Sequence, residues 1–189
     1  ALILKNSEIK IPNININKYR TGIITVLKKM GANISIINKR FDSNEEIGDL
    51  IIKSSQLKPL NIGGEIISTL IDELPILFIA CAVSSGISKI SGIEELRYKE
   101  SDRIKSMEEG LNAVGIKARS TIDSIEINGG EILGGKINSY GDHRIAMAFA
   151  IAALISKKSI TIIDTKNIST SFPNFIDLMR EQRADIYEL

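Results

Sequence analysis

The sequence has only one cysteine, only one histidine and a net charge of only +1, and each of these features excludes a kind of site or partner. A single cysteine cannot form an internal disulfide or a cysteine-based metal site, and Cys81 lies within an apolar run that places it in the core. We therefore expect a reducing compartment and a cytoplasmic location. No second histidine or cysteine stands at metal-ligand spacing from His143, so the sequence predicts no transition-metal site.

Charge and length set further limits on partners and organisation. The 24 lysine and arginine residues nearly balance the 23 aspartate and glutamate residues, so no overall field would recruit nucleic acid or an acidic membrane surface. The apolar stretch 145–155 is shorter than the roughly 20 residues of a membrane-spanning helix. We expect neither nucleic acid nor a membrane as a partner, and we predict one domain over residues 1–189.

An internal repeat runs through the chain. Each copy has a Gly-Gly pair, an aspartate, an alanine-rich apolar helix, a short β-prone stretch and a serine at the start of a second helix. The aligned positions include Asp72 with Asp142, Ala80 with Ala150, Ile90 with Ile160, and Ser101 with Ser171. The end of the second helix and the turn after it occur three times, in residues 27–34, 111–118 and 179–186, so the chain also contains part of a third copy. We therefore predict three units, of which the first and the last are incomplete.

The apolar pattern predicts helices that alternate with short strands. Helices are expected at 20–30, 64–70, 75–85, 102–114, 142–156 and 172–182. Strands are expected near 2–11, 33–37, 49–53, 88–92, 116–120, 124–128, 159–163 and 185–188. The glycine-rich stretch 128–135 fits neither a P-loop nor a dinucleotide fingerprint and predicts turns between strands. The fold class is α/β (α+β), and the helix at 142–156, apolar on nearly every face, is predicted to be a buried central helix.

Two clusters of charge, residues 99–103 and 141–144, stand at predicted helix starts. Arg103 lies in a first turn, where the helix dipole disfavours a cation, and a bound carboxylate or phosphate would account for that placement. A solvated cap with an incidental ion pair explains the same cluster without a ligand. In the second cluster Arg144 is the stronger candidate for anion binding. His143 suits either a proton carrier near neutral pH or a neutral ring that only forms hydrogen bonds.

Of two carboxyl groups in different surroundings, one can act as a general acid and the other as a general base. Asp72, at the position matching Asp142, is either a helix cap or a general base, and its pairing with Glu100 favours the second interpretation. If the units repeat in space, the helix starts near Asp72, Ser101, Asp142 and Ser171 converge, and their free backbone N–H groups favour an anion. The sequence thus predicts a site for a small, highly charged substrate.

Four motifs stand in order along the chain: IDELP at 71–75, LRYKESDR at 96–103, GDHRIAM at 141–147 and TSFP at 170–173. Together they resemble the 5-enolpyruvylshikimate-3-phosphate synthase family. The resemblance covers essentially the whole chain but only the carboxy-terminal half of the family's length. It implies one lobe of a two-lobe enzyme, each lobe built from three βαβαββ units, with the active site in the cleft between the lobes. It also implies that the amino-terminal lobe is absent from this chain and that the complete protein is a monomer.

The resemblance also implies an activity and roles for individual residues. The complete enzyme would transfer the enolpyruvyl group of phosphoenolpyruvate to the 5-hydroxyl of shikimate 3-phosphate, releasing phosphate, without a metal or other cofactor, in aromatic amino-acid biosynthesis. Asp72 would take the hydroxyl proton, and Glu100 would protonate the methylene carbon of phosphoenolpyruvate. Arg103 and Arg144 would hold the phosphoenolpyruvate anion. Lys99 would contact the shikimate ligand together with Asp72. Asp142 and His143 would support Arg144. Thr170 stands where many family members have a lysine that contacts phosphate.

Two alternative functions remain open at this point. One is a related enolpyruvyl transferase that acts on UDP-N-acetylglucosamine, although residues 99–103 and 141–144 match the shikimate enzyme better. The other is a stand-alone anion-binding module without catalysis. As one lobe of the shikimate enzyme, the chain on its own is expected to be inactive or nearly so, because the basic residues of the other lobe are missing and the cleft cannot close to expel water.

Overall fold

The structure is a computed structural model that describes residues 1–187, and in it helices pack against three small sheets. The helices are α1 (Gly22–Lys29), α2 (Leu74–Ala82), α3 (Arg103–Ala113), α4 (His143–Ala153), α5 (Ile168–Ser171) and α6 (Phe175–Glu181). The strands are β1 (Glu8–Asn15), β2 (Asn33–Asp42), β3 (Glu45–Lys53), β4 (Asn61–Ile62), β5 (Ile87–Ser91), β6 (Lys117–Ser120), β7 (Ser124–Asn128), β8 (Gly135–Asn138) and β9 (Ile160–Ile163). Tighter 3-10 turns cover Gly64–Thr69, Ile71–Glu73 and Glu94–Tyr98. Within the described residues, none of these helices is long and apolar enough to cross a membrane.

The order of the strands shows the repeat in three dimensions. One sheet has the order β1-β3-β2 and another has the order β4-β5-β7-β6, so β1, β3 and β2 repeat the arrangement of β5, β7 and β6. β4 runs parallel to β5 across α2, and β8 runs parallel to β9 across α4. The middle unit, from β4 to β7, is therefore a complete βαβαββ unit. The first unit has the last four elements of this pattern, β1, α1, β2 and β3, and the described part of the last unit consists of β8, α4, β9 and the helices that follow.

The three helix ends aligned in the sequence share one backbone geometry. Gly31 and Gly115 have φ of +88° and +92°, and Arg183 takes the same left-handed conformation at +64°. After each of them the next backbone N–H donates to the carbonyl five residues earlier: Ala32 to Leu27 (3.0 Å), Ile116 to Leu111 (2.9 Å) and Ala184 to Met179 (2.9 Å). The third unit therefore keeps the turn without glycine's freedom at positive φ.

The core is centred on α2 and α4, which confirms the buried central helix. In α2 every residue except Ile76 is buried, and in α4 the face from Ile145 to Ala152 is buried. Helix α3 approaches α4 so closely at Gly110 that a Cβ there would lie 2.4 Å from the ring of Phe149. Cys81 is in this core, and burial raises the pKa of its thiol to about 11.

Some boundaries in the amino-terminal half differ from the predictions. The first strand begins at Glu8 rather than at residue 2, because the preceding residues form turns that include Asn6 at positive φ. β2 and β3 are longer than expected because they run up to a two-residue turn, Ser43 and Asn44, in which both residues have positive φ. The helix predicted at 64–70 is a 3-10 turn.

The carboxy-terminal half differs in three places. β8 begins at Gly135, at the end of the stretch predicted as turns only, because pairing with β9 orders it. The helix predicted at 172–182 begins at Phe175, after the separate short helix α5. Residues 185–187 are not a strand, since no strand of the described chain pairs with them, and Glu188 lies outside the described residues.

Asp49 lies in the first sheet where both β1 and β2 bulge against β3. Its carboxylate accepts hydrogen bonds from the side chain of Asn38 (2.9 Å) and the backbone N–H of Asn13 (3.1 Å), and it pairs with Lys10 Nζ at 3.0 Å. These contacts, the Asn38 hydrogen bond foremost, lower the pKa of Asp49 from 3.8 to about 2. The first sheet is therefore held together partly by an ionised carboxylate.

Asp49→Asn is expected to lower the free energy of unfolding at neutral pH. The difference from the unsubstituted protein should vanish as the pH falls from about 4 to about 2, because a carboxyl group whose pKa is lower in the folded state stabilises only while it is ionised. Urea denaturation of both proteins over this pH range measures the difference. Glu126→Gln, at an exposed position of β7, is the control and should leave stability unchanged. A difference that is the same at every pH would contradict this account of Asp49.

Candidate active site

Arg103 begins α3, and its side chain is only 1% exposed. Asp102 caps this helix by accepting a hydrogen bond from the backbone N–H of Lys105 (3.0 Å). The guanidinium of Arg103 donates through Nε to Asp142 (2.7 Å) and through Nη2 to Glu100 (2.6 Å). Because a buried charge is costly unless it is paired, these contacts fix Arg103 in one orientation.

Asp142 is fully buried and has two positioning contacts besides Arg103. Its Oδ1 accepts the backbone N–H of Arg144 (2.9 Å), which caps α4, and its Oδ2 accepts the hydroxyl of Ser101 (3.2 Å). One carboxylate therefore fixes the start of α4 and the side chain of the arginine that begins α3. The structure places Asp142 against the side chain of Arg103 and against the backbone of Arg144.

Asp72 lies in the 3-10 turn directly before α2, and its side chain caps neither this turn nor α2. Its half-exposed carboxylate faces three cations: Arg144 Nη2 at 3.4 Å, Arg103 Nη1 at 3.5 Å and Lys99 Nζ at 3.8 Å. Arg144 also donates through Nη1 to the backbone carbonyl of Asp72 (2.9 Å). Asp72 thus joins the start of α2 to the same cluster.

The structure brings the predicted helix starts at Asp72, Ser101 and Asp142 together. The candidate active site consists of three carboxylates and three cations on three different helix starts: Asp72, Glu100, Asp142, Lys99, Arg103 and Arg144. Ser171 does not mark a helix start, because it is the last residue of α5.

The Nη1 atom of Arg103 is the most informative atom of this site. It is buried and, among residues 1–187, has no hydrogen-bond partner, although it lies 3.5 Å from Asp72 Oδ1. A buried donor left without a partner costs about 1–3 kcal/mol, and more when it is charged. A ligand oxygen in this position would satisfy it.

Known proteins match this chain in sequence and in structure. The family model described as EPSP synthase (3-phosphoshikimate 1-carboxyvinyltransferase) matches residues 1–179. The chain belongs to the EPSP synthase family. This confirms the resemblance that the four sequence motifs carry.

Relatives in the EPSP synthase family match nearly all of this chain. The 3-phosphoshikimate 1-carboxyvinyltransferase of Legionella pneumophila (strain Paris) is 47% identical over 176 residues, which are 93% of this chain and 41% of that protein. The protein of the same name from Methylococcus capsulatus is 45% identical over 186 residues, which are 98% of this chain and 43% of that protein. The chain thus spans about two fifths of the length of the curated relatives it matches.

Solved structures confirm the fold class. An EPSP synthase from Acinetobacter baumannii superposes with a TM-score of 0.92 at 40% identity, covering 96% of this chain and 43% of that one. The enolpyruvyl transferase NikO from Streptomyces tendae superposes with a TM-score of 0.74 over 98% of this chain and 41% of that one. At 16% identity, the second comparison shows a shared fold alone.

Two residues of the EPSP synthase motifs, His143 and Thr170, form no side-chain hydrogen bond with the cluster in the described part of the chain. His143 is the first residue of α4, and its ring forms no hydrogen bond within residues 1–187. Thr170 lies in α5 and donates to the carbonyl of Asn167 (2.8 Å). Asn167 in turn donates to the carbonyl of Gly141 (2.6 Å), so this segment reaches the turn that precedes Asp142.

The sequence predicted no role for Glu95, Arg97 or Asn167. Glu95 contacts a residue of the site, and Arg97 and Asn167 contact residues that position it. Glu95 pairs with Lys99, and Arg97 pairs with the α3 cap Asp102 at 2.7 Å. Arg97 stands inside the motif at 96–103, which was the available signal. Asn167 gave none, because its contact with the turn before α4 arises only from the tertiary fold.

Proposed function

We propose that the complete protein transfers the enolpyruvyl group of phosphoenolpyruvate to the 5-hydroxyl of shikimate 3-phosphate and releases phosphate. In this proposal the chain supplies the carboxy-terminal lobe, and a second lobe completes the cleft above the candidate active site. Membership of the EPSP synthase family supports the reaction class. The single observation that carries the proposal is the buried Arg103, whose Nη1 lacks a hydrogen-bond partner within residues 1–187.

Arg103 and Arg144 are placed to bind one small anion. Arg103 uses Nε and Nη2 on protein carboxylates and leaves Nη1 for a ligand, and Arg144 approaches the same Asp72 carboxylate from α4. A guanidinium held by protein contacts before the ligand arrives loses little freedom when a carboxylate or phosphate binds. Phosphoenolpyruvate carries both of these groups.

Glu100 and Asp72 are suited to the two proton transfers. Glu100 accepts Arg103 Nη2 with Oε2, while its Oε1 forms no hydrogen bond in the described chain and can deliver a proton to the methylene carbon of phosphoenolpyruvate. Asp72 accepts the proton of the 5-hydroxyl as the new carbon–oxygen bond forms, and Lys99, 3.8 Å away, contacts the shikimate ligand with it. In the elimination that follows, the carbon–phosphate oxygen bond breaks, the new methyl group returns a proton to Glu100, and the departing phosphate takes up the proton held by Asp72.

The remaining residues support these groups. Asp142 holds the side chain of Arg103 and the backbone of Arg144, and His143 begins the helix that carries Arg144. Thr170 presents a hydroxyl where a longer lysine would reach phosphate, so its contribution to phosphate binding is small in this proposal.

Phosphate release by a polypeptide that carries both lobes tests the proposed function. With phosphoenolpyruvate as donor, we expect release with shikimate 3-phosphate and none with UDP-N-acetylglucosamine. Release only with the UDP sugar would favour the related transferase. Tight binding of phosphoenolpyruvate with no release for either acceptor would favour an anion-binding module.

The isolated chain is expected to bind phosphoenolpyruvate only at about millimolar concentrations or more weakly. The second lobe contributes basic groups and excludes water, and losing that preorganisation costs several kcal/mol. Isothermal titration calorimetry of the chain with phosphoenolpyruvate measures this affinity. Micromolar binding by the chain alone would show that a second lobe is not required.

A further inference from the structure

Arg97 connects three parts of the chain next to the candidate active site. It belongs to the 3-10 turn Glu94–Tyr98, and its side chain is 21% exposed. Nε donates to the carbonyl of Ile122 (2.7 Å), Nη1 donates to Asp102 Oδ2 (2.7 Å), and Nη2 donates to the carbonyl of Thr121. Since all three nitrogens of this guanidinium bind protein, its role differs from that of Arg103.

The turn that accepts two of these hydrogen bonds is itself well fixed. Thr121, between β6 and β7, donates its hydroxyl to Asp123 (3.0 Å) and its backbone N–H to the carbonyl of Ser124 (2.9 Å). The carbonyl of Asp123 accepts the backbone N–H of Ile93 (2.9 Å), just before the 3-10 turn. Arg97 therefore binds to a turn that its own hydrogen bonds hold in place.

Asp102 connects Arg97 to helix α3. Its Oδ1 caps the helix by accepting the backbone N–H of Lys105 (3.0 Å), and its Oδ2 accepts Arg97 Nη1. The two oxygens of one carboxylate thus join the start of α3 to the turn between β6 and β7 through a single guanidinium.

The ion pair between Arg97 and Asp102 closes the short loop 98–101, which carries the reacting groups of the proposed function. Glu100 and Lys99 both project from this loop. Glu100 has a half-exposed side chain with one hydrogen bond among the described residues, so the backbone of the loop largely decides where its carboxyl group lies. Arg103 has a second buried partner outside this loop, Asp142, which accepts its Nε at 2.7 Å.

We propose that Arg97 is a positioning residue that fixes the loop 98–101, and with it Glu100 and Lys99, for proton transfer. The inference rests on the proposed function and adds a residue to it that touches no substrate. Lysine cannot replace Arg97, because an ammonium group is a point charge and cannot reach three acceptors that lie in different directions. A misplacement of about 1 Å in a catalytic group can reduce the rate by about 100-fold.

Arg97→Lys in a polypeptide with both lobes tests this role. We expect kcat to fall by about 10-fold to 100-fold. KM for phosphoenolpyruvate should change by less than about threefold, because Arg103 keeps its buried contact through Nε with Asp142 when the loop loosens. Arg119→Lys, at an exposed position of β6, is the matched control and should behave like the unsubstituted enzyme. Asp102→Asn retains a capping oxygen but removes the charge partner of Arg97, and it should lower kcat in the same way.

Hydrogen exchange gives a measurement that does not depend on activity. In Arg97→Lys, amides of residues 98–101 should exchange faster, while those of α2 and α4 stay protected. Unchanged exchange in the loop, or a kcat equal to that of Arg119→Lys, would overturn the inference. The unsubstituted enzyme could prove inactive while the Arg97→Lys variant still shows faster exchange in the loop. That pair of results would count against the proposed function and not against the positioning by Arg97.

Discussion

Arg103→Met is expected to lower the free energy of unfolding by about 3–5 kcal/mol, because it leaves the buried carboxylate of Asp142 without its charge partner. The methionine fills much of the same volume, so a cavity explains little of the loss. Urea denaturation of the two proteins at neutral pH measures the difference. Arg119→Met is the control, since this arginine is exposed on β6, and it should change stability by less than about 0.5 kcal/mol.

The double variant Arg103→Met with Asp142→Asn separates charge from packing. Asparagine can still cap α4 with its carbonyl oxygen, and its NH2 group can donate to the hydroxyl of Ser101, but it carries no charge. We therefore expect the double variant to be more stable than Arg103→Met alone, although both lack the arginine. A double variant as unstable as the single one would show that the buried charge of Asp142 is not the cause.

Glu100→Gln is expected to lower kcat by about 100-fold to 10,000-fold in the complete enzyme, because glutamine cannot deliver a proton to the methylene carbon. Its side-chain oxygen can still accept Arg103 Nη2, so binding of phosphoenolpyruvate and thermal stability should change little. Steady-state phosphate release, with KM and kcat measured separately, checks this prediction. Glu126→Gln, on the exposed side of β7, is the matched control. Unchanged turnover in Glu100→Gln would remove this residue from the chemistry.

The sequence predicted the parts of this molecule that local pattern determines. The alignment of Asp72 with Asp142 identified a repeat that the strand orders β1-β3-β2 and β4-β5-β7-β6 display. The charged clusters at 99–103 and 141–144 predicted two helix starts, and in the structure α3 and α4 begin there, capped by Asp102 and Asp142.

Features that depend on tertiary pairing could not be predicted. β8 begins at Gly135 and is ordered by β9, a partner more than 20 residues away that no local pattern indicates. The pairing of Asp142 with the side chain of Arg103 depends on how α3 packs against α4, which in turn requires Gly110 against Phe149. Likewise, the anchor of Arg97 in the turn at Thr121 exists only once β6 and β7 have paired.

The proposed function requires that Arg103 Nη1 is available to an anionic oxygen of the substrate. A crystal structure of the two-lobe protein with shikimate 3-phosphate and phosphoenolpyruvate, using Glu100→Gln to slow turnover, tests it most directly. We expect a carboxylate or phosphate oxygen of phosphoenolpyruvate within about 3 Å of Arg103 Nη1, with Arg144 on the same molecule. Phosphoenolpyruvate bound elsewhere, with Arg103 Nη1 in contact only with Asp72, would contradict the account.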